Sequence, residues 1–273
     1  MPAPGPTPTL RSTMSHPDLH LARDADIVTL TIAREARRNA ITLPMWQALA
    51  EHFATLSADG SLRCVILRGA GDRAFSAGAD IAAFAHERGT EEREQAYNDA
   101  LVAAFLAIER CAHPTVAALR GYALGGGCGL ALMCDFRVGG PSTRMGIPAR
   151  NLGIFYPHEG LDPLLRIAGE AVAMEMLVEG RTYTGEEALA RGLLTRLVPD
   201  DAVQSEARAL AGRIAEGAPL ANRYHKRALR ALRGPLPLTE ADRAEIAEFP
   251  RTADFREAIA AFHGKRKPIF QGR

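Results

Sequence analysis

The sequence has little of what several common kinds of function require. Its 273 residues include only four cysteines, which form no CxxC pair and have no histidine at zinc spacing, so neither a metal site nor a disulfide framework is predicted. The formal net charge of +1 provides no strong field to attract nucleic acid or an anionic membrane. No apolar run approaches the roughly 18 residues that span a bilayer. We therefore expect a cytoplasmic protein with no metal, nucleic-acid or membrane partner.

The chain divides into three parts by composition. Residues 1–17 contain five prolines and little apolar periodicity, which predicts a disordered tail. Residues 18–200 are expected to form the core, since 47% hydrophobic and 24% charged residues are ordinary for a globular enzyme. Residues 201–273 carry apolar residues at helical spacing almost throughout. We expect these helices to cover the core and to pack on neighbouring subunits.

Strand and helix patterns alternate through the core. Short runs of β-branched and apolar residues predict strands, and longer stretches with apolar residues three and four apart predict helices. The order is strand from Asp26, helix 43–56, strand 63–68, helix 91–109, strand 115–119 and helix 126–133. This order predicts an α/β fold. Strand and helix turns of similar length favour a coiled ββα repeat over a Rossmann sheet.

Two glycine-containing motifs carry most of the functional information. Phe75–Ile81 reads F-S-A-G-A-D-I, and Gly121–Gly129 reads G-Y-A-L-G-G-G-C-G. Small residues of this kind let a backbone N–H face a ligand without interference from a Cβ. Two such N–H groups that converge on one oxygen form an oxyanion hole, and the second lies where a helix is predicted to begin. The second motif lacks both the Rossmann G-x-G-x-x-G spacing and the P-loop G-K-[ST] sequence, which argues against nucleotide binding by those routes.

The two motifs together resemble the signature of the crotonase superfamily, the enoyl-CoA hydratase and isomerase group. The match extends from about residue 20 to the C-terminus and includes G-R-T-Y-T at residues 180–184 and A-F-H-G-K-R-K-P-I-F at residues 261–270. The resemblance implies a β/α spiral with a C-terminal helical oligomerisation region. It also implies an acyl-CoA substrate, assembly as a homotrimer or homohexamer, and no cofactor besides the coenzyme A of the substrate.

The resemblance also implies roles for individual residues. The N–H groups of Ala79 and Gly126 would form the oxyanion hole, and the carbonyl of Ala77 would receive the adenine amino group. Arg73 falls where the family places a basic residue on the coenzyme A phosphates. Near the C-terminus, Phe262 and Lys265 match an aromatic residue and a lysine that contact the adenine and phosphates, often from a neighbouring subunit. The family lysine after A-D-I is absent here, because position 82 is alanine.

Both catalytic glutamates of the resembling hydratases are missing. Gly129 and Ala149 occupy their positions, and neither can move a proton. The nearby segment N-L-G-I-F-Y-P-H-E-G at residues 151–160 supplies Tyr156 and Glu159 as candidate replacements. Tyr156 aligns without a gap on a tyrosine of the methylmalonyl-CoA decarboxylase branch, although it could equally form a wall of the acyl pocket. Glu159 could equally stabilise the start of a helix near Gly160.

Three functions follow from these residues. The first is an acyl-CoA lyase or isomerase of enoyl-CoA hydratase/isomerase type that acts through a stabilised enolate. The second is an acyl-CoA decarboxylase, in which loss of CO₂ generates the enolate without a carboxylate base. The third belongs to a different class, a pseudoenzyme that binds acyl-CoA without turnover.

Overall fold

The computed structural model describes residues 16–83, 87, 90–232 and 252–273, and for Phe262 only the backbone. Helices and strands are interspersed from the start of the core to residue 197, and beyond it the described elements are helical. The strands are β1 Leu19–Asp24, β2 Ile27–Ile32, β3 Cys64–Gly69, β4 Ala74–Ser76, β5 Thr115–Leu119, β6 Tyr122–Leu124, β7 Phe136–Gly139, β8 Arg144–Gly146, β9 Thr182–Thr184 and β10 Arg196–Leu197. The helices are α1 Leu43–Ala58, α2 Glu91–Glu109, α3 Gly126–Met133, α4 His158–Met174, α5 Gly185–Ala190, α6 Val203–Ala215, α7 Pro219–Ala231 and α8 Ala253–His263. Gly169, with φ 82°, interrupts the helical backbone of α4.

The strands form two sheets. Within the described residues, the first sheet has the order β1-β2-β3-β5-β7-β10, parallel from β2 onward with β1 antiparallel at one edge. The second sheet has the order β4-β6-β8-β9, with β9 antiparallel to β8. Every residue of β5 is buried, as expected of a parallel strand covered on both faces.

A repeated ββα unit relates the two sheets. Each unit places its first strand in the first sheet and its second strand in the second sheet, and a helix follows: β3-β4-α2, β5-β6-α3 and β7-β8-α4. The second strands of the three units are therefore parallel neighbours, and their carboxyl ends lie side by side. This coiled α/β repeat is the expected spiral, and it confirms the predicted fold class.

Apolar packing covers both faces of the first sheet. The larger core joins it to the second sheet and to helices α1–α4, around Trp46, Phe53, Phe75 and Phe105. On the opposite face, α6 buries Val203, Ala207, Leu210 and Ala211 against β2, β3, β5 and β7. The first helix after residue 200 is therefore part of the core packing of this chain.

The helices predicted at 43–56, 91–109 and 126–133 agree with α1, α2 and α3 to within two residues, and α6, α7 and α8 lie in the part expected to be helical. The three-residue strands of the second sheet were not predicted, because segments this short show no readable periodicity. Strand β1 was not predicted either; it lies at the edge of its sheet, and only its first residue is buried. The predicted tail lies outside the described residues, save for residues 16 and 17. None of the helices described is both long enough and apolar enough to cross a membrane.

Candidate active site

The two glycine motifs meet at the carboxyl ends of β4 and β6. Because these strands are parallel neighbours, the turns that follow them place Ala79 and Gly126 at one edge of the second sheet. The Cβ position of Gly78 lies 3.1 Å from the backbone nitrogen of Gly126, so the two turns are in direct contact. Within the described part of the chain, neither the Ala79 N–H nor the Gly126 N–H donates to a protein acceptor. Two free N–H groups therefore lie together at the start of α3, where the helix dipole favours negative charge.

Buried polar contacts fix the first turn. The Asn39 side chain, 1% exposed, donates to the carbonyls of Ala70 and Ala74 at 2.9 and 2.7 Å and accepts the Arg34 N–H at 3.0 Å. The Ser76 hydroxyl donates to the Asn39 carbonyl at 2.8 Å and accepts the Gly78 N–H at 3.1 Å. Gly78 has a φ of 86°, which a side chain would strain. The position of Ala79 is thus built into the fold.

An aromatic cluster supports the second turn from below. The ring of Trp46 lies 2.9 Å from the Cβ position of Gly126, so this position accepts no side chain without a shift. The indole N–H donates to the Tyr97 hydroxyl at 2.8 Å, and the indole ring meets Phe105 edge-on at 6.0 Å between centroids. Tyr97 and Phe105 are eight residues apart on α2, two helical turns along one face.

Tyr156 fills the space beside Gly129. A Cβ on Gly129 would lie 2.3 Å from Phe105 Cζ and 2.4 Å from the Tyr156 hydroxyl oxygen. The tyrosine ring also lies against Gly160, where a Cβ would come within 2.3 Å of Cε1. The Tyr156 hydroxyl donates to the Gly125 carbonyl at 3.2 Å. Burial raises the pKa of Tyr156 well above its ordinary value, so the hydroxyl stays protonated at neutral pH.

A cavity of about 100 Å³ adjoins the two N–H groups. Its described lining contains both predicted oxyanion residues together with Ala77, Ala149 and Tyr156. Ala149 reaches it from the turn after β8, the third of the neighbouring parallel strands. The remaining lining residues are Ile81, Tyr97, Asn98, Leu101, Gly125, Pro148, Leu152, Ile154, Phe155 and Pro157. The structure thus brings four of the predicted site residues to one cavity: Ala77, Ala79, Gly126 and Tyr156.

Other candidate acids lie apart from this cavity. Glu159 is half-buried in the first turn of α4 and is not among the lining residues, so its catalytic role stays a prediction. The Glu87 carboxylate accepts the Leu43 N–H at 3.1 Å at the start of α1, where the side chain of the preceding Thr42 makes no capping bond. Burial raises the pKa of Glu87. The Cys128 thiol is buried behind the glycine motif, and burial raises its pKa to about 12, which excludes a reactive thiolate at neutral pH.

The residues predicted to hold coenzyme A lie at the surface or outside the description. Arg73 is exposed, and its backbone carbonyl accepts the Tyr122 N–H at 3.2 Å. The Arg38 guanidinium lies 5.8 Å from the centroid of the Tyr122 ring. Lys265 is exposed just after α8. The side chain of Phe262 lies outside the described residues, and the roles of all these residues stay predictions.

Comparison with known proteins identifies the family. A family model described as enoyl-CoA hydratase/isomerase matches residues 22–273. The chain belongs to this family. It is 33% identical over 261 residues to the 2,3-dehydroadipyl-CoA hydratase of Escherichia coli (strain K12), covering 94% of this chain and 99% of the relative. It is 32% identical over 263 residues to the crotonyl-CoA hydratase of Syntrophomonas wolfei, covering 94% and 99%. An enoyl-CoA hydratase/carnithine racemase structure from Magnetospirillum magneticum superposes with a TM-score of 0.91 at 43% identity, covering 95% of this chain and 97% of that one.

Membership confirms the crotonase resemblance and places the chain among acyl-CoA enzymes. The sequence reasoning nevertheless missed the residues that α1 and α2 bring to the site. Trp46, Tyr97, Leu101 and Phe105 are buried there, and the last three repeat every fourth residue along α2. The sequence shows this repeat as one apolar face of the predicted helix. The sequence does not show that this face points toward the glycine motif, because that depends on how α2 packs on α3.

Proposed function

We propose that this protein is an acyl-CoA thioester enzyme of enoyl-CoA hydratase/isomerase type that works through an enolate held by Ala79 and Gly126. The observation that carries the proposal is the pair of unpaired N–H groups at the edge of an apolar cavity. A thioester oxygen between them would gain negative charge in the transition state, and each such donor typically contributes about 3–4 kcal/mol there.

Tyr156 is the proposed proton-bearing group. Its hydroxyl occupies the space that a side chain at position 129 would need, so it lies where the related hydratases carry a glutamate. Because its pKa is raised, the hydroxyl stays protonated, and it would serve the enolate or a substrate carboxylate as a hydrogen-bond donor, not as a base, by turning away from the Gly125 carbonyl. Among the described residues that line the cavity, none is a carboxylate. Glu159 remains the second candidate and would have to reach the substrate from the start of α4.

Decarboxylation is the alternative that this geometry favours most. The bond between the α-carbon and a substrate carboxylate would break, its electron pair would move onto the thioester carbonyl as an enolate, and CO₂ would leave. The α-carbon would then take a proton from water, the hydroxide left behind would combine with the released CO₂ as bicarbonate, and no protein base is needed at any step. A site lined without carboxylates suits this chemistry, since a fixed negative charge would repel the departing group. Binding without turnover is the remaining alternative.

Coenzyme A would extend from the cavity across the surface that carries Arg73. The Ala77 carbonyl is the proposed acceptor for the adenine amino group, and Phe262 with Lys265 would contact the nucleotide from a neighbouring subunit. The protein would then be a trimer or a hexamer, and coenzyme A would be part of the substrate with no further cofactor.

A panel of thioesters separates these readings. Enoyl-CoA, α-carboxylated acyl-CoA and saturated acyl-CoA are incubated with the protein, and the products are identified by mass spectrometry. Water addition or movement of the double bond supports the hydratase/isomerase reading, and loss of CO₂ supports the decarboxylase. Binding of the panel without any product supports the pseudoenzyme.

Replacing one backbone amide by an ester tests the oxyanion hole directly. Lactate in place of Ala79 removes the N–H and keeps the methyl group, so no new contact arises. Turnover should fall by about 10²–10³-fold. Glycolate in place of Gly60, at an exposed turn, is the matched control and should leave turnover unchanged. Equal activity of the Ala79 ester and the parent protein would contradict the assignment.

A further inference from the structure

The cavity beside the two N–H groups is apolar at the end that would receive the acyl chain. Leu101, 8% exposed, comes within 3.9 Å of the Cβ position of Gly126. Ile81, Leu152 and Phe155 continue the apolar surface outward, and all three are at least half exposed at the rim. Among the described residues that line the cavity, none carries a charge.

The few polar groups of the lining already have partners. The Tyr97 hydroxyl accepts the indole N–H of Trp46, and the Tyr156 hydroxyl donates to a backbone carbonyl. The Asn98 amide donates to the Glu94 carboxylate at 3.1 Å, one helical turn earlier. The nearest ionised partner of the lining is therefore negative, which opposes a second negative charge in the cavity.

Two arginines that adjoin this segment of the chain are directed elsewhere. Arg150 follows the lining residue Ala149, but its guanidinium donates to the backbone carbonyls of Val178 and Glu179, the latter at 2.7 Å. Arg34 forms an ion pair with Asp80 at 3.0 Å. An acyl group that ends in a carboxylate would find no cation among the described residues that line the cavity.

The small size of the cavity favours a short acyl chain. Its volume of about 100 Å³ is below the roughly 300–1,000 Å³ of ordinary ligand pockets. The far end of a four-carbon acyl group would thus lie among the lining residues, which include Leu101 and Asn98. Placing an unpaired carboxylate there is strongly unfavourable, because a buried charge without a partner loses its hydration.

We propose that this site selects short acyl groups whose far end is uncharged and rejects those that end in a carboxylate. The selectivity rests on the proposed acyl-CoA function and names the substrate class of the same site. This selectivity concerns the far end of the acyl chain of the substrate. A carboxylate on the α-carbon of the substrate would lie instead beside Tyr156. The E. coli relative is named for a dicarboxylic acyl-CoA, so the two proteins would differ in their acyl specificity.

The single tryptophan provides the measurement. Trp46 lies against Gly126, so its fluorescence should report an acyl group bound at the two N–H groups. Saturated thioesters are used, because they have no double bond to hydrate. Butyryl-CoA is compared with succinyl-CoA, and hexanoyl-CoA with adipyl-CoA, and free coenzyme A is the reference ligand. Butyryl-CoA should bind about tenfold or more tightly than succinyl-CoA. The difference should shrink for the six-carbon pair, whose carboxylate can pass the rim into water.

Two results overturn the proposal in different ways. Equal or tighter binding of succinyl-CoA would overturn the selectivity and leave the acyl-CoA function intact. Binding of no thioester above free coenzyme A would overturn the selectivity together with the acyl-binding function on which it rests.

Asn98 and Gln95, on the same helix, offer a matched pair of variants. Asn98→Arg places a cation at a half-buried position of the lining and should bind succinyl-CoA more tightly, which narrows the difference between the four-carbon thioesters. Gln95→Arg adds the same charge at an exposed position outside the described lining and should retain the preference of the parent protein. A folded Asn98→Arg protein that prefers butyryl-CoA by the original factor would overturn the electrostatic cause.

Discussion

Removing only the hydroxyl of Tyr156 separates its chemistry from the packing of its ring. Tyr156→Phe keeps the contacts with Phe105 and Gly160 and loses one hydrogen bond to Gly125, so the free energy of unfolding should change by about 1 kcal/mol or less. If the hydroxyl serves the enolate, kcat should fall by about 10²-fold with little change in KM. Tyr224→Phe, on α7 and outside the cavity lining, is the control. A kcat equal to that of the parent protein would leave Tyr156 as a wall residue only.

A substitution at Gly129 tests whether the position of the Tyr156 hydroxyl requires that residue 129 has no side chain. From the sequence alone, Gly129→Ala should be tolerated, because it removes no catalytic group. The structure reverses this expectation, since the added methyl group would meet Phe105 and the Tyr156 hydroxyl at less than 2.5 Å. We expect a loss of about 1–3 kcal/mol in stability and a fall in kcat similar to that of Tyr156→Phe. Ala149→Ser, at the other empty glutamate position, is the control, and unchanged stability and kcat in Gly129→Ala would contradict the crowding.

At the scale of elements, the sequence predicted the helices and the long parallel strands better than the second sheet. Strands β2, β3 and β5 are five or six residues long and mostly apolar, whereas β4, β6 and β8 have three residues each. Those short strands position the site, because their carboxyl ends hold Ala79, Gly126 and Ala149. The motifs therefore indicated which residues would form the proposed oxyanion hole. They could not indicate that Tyr156 returns over Gly129, which depends on where α4 packs on α3.

The contact between α7 and the start of β5 should make the fold sensitive to acid. His113 is 1% exposed, and burial, followed by the charges of Arg223 and Lys226, lowers its pKa to about 4. An unfolded chain holds this histidine near its usual pKa of about 6.5, so between pH 6.5 and 4 the unfolded state binds more protons. The free energy of unfolding should fall as pH drops through this range, by about 2–3 kcal/mol from this residue.

His113→Leu removes that titration and keeps an apolar side chain in the buried position. Denaturant unfolding is measured from pH 8 to pH 4 for both proteins. The difference in stability between variant and parent should shift in favour of the variant as pH falls from 6.5 to 4. His225→Gln, at an exposed position of α7, is the control. Parallel pH profiles for His113→Leu and the parent protein would show that His113 is not the acid-sensitive group.

At the scale of the whole molecule, exposed apolar side chains motivate a prediction of association. Leu165, Met174 and Val178 lie along α4 and the segment after it, with exposed fractions of 50%, 54% and 58%. If they form one patch in space, that patch would serve as a contact surface. We predict a trimer or a hexamer, which static light scattering at micromolar concentration would distinguish from a monomer.

Charge placed on this surface should both separate the subunits and weaken ligand binding. The double variant Met174→Glu, Val178→Glu puts two carboxylates into the proposed contact and should lower the measured mass, whereas Leu21→Glu on β1 should not.

If Lys265 reaches the coenzyme A of a neighbouring subunit, the separated protein should bind acyl-CoA more weakly. The loss of affinity should be about as large as the loss that Lys265→Ala causes in the intact assembly. A parent protein that is monomeric would remove both the contact and the shared site. A dissociated variant with unchanged affinity would remove only the sharing, and would assign Lys265 to the site of its own chain or to solvent.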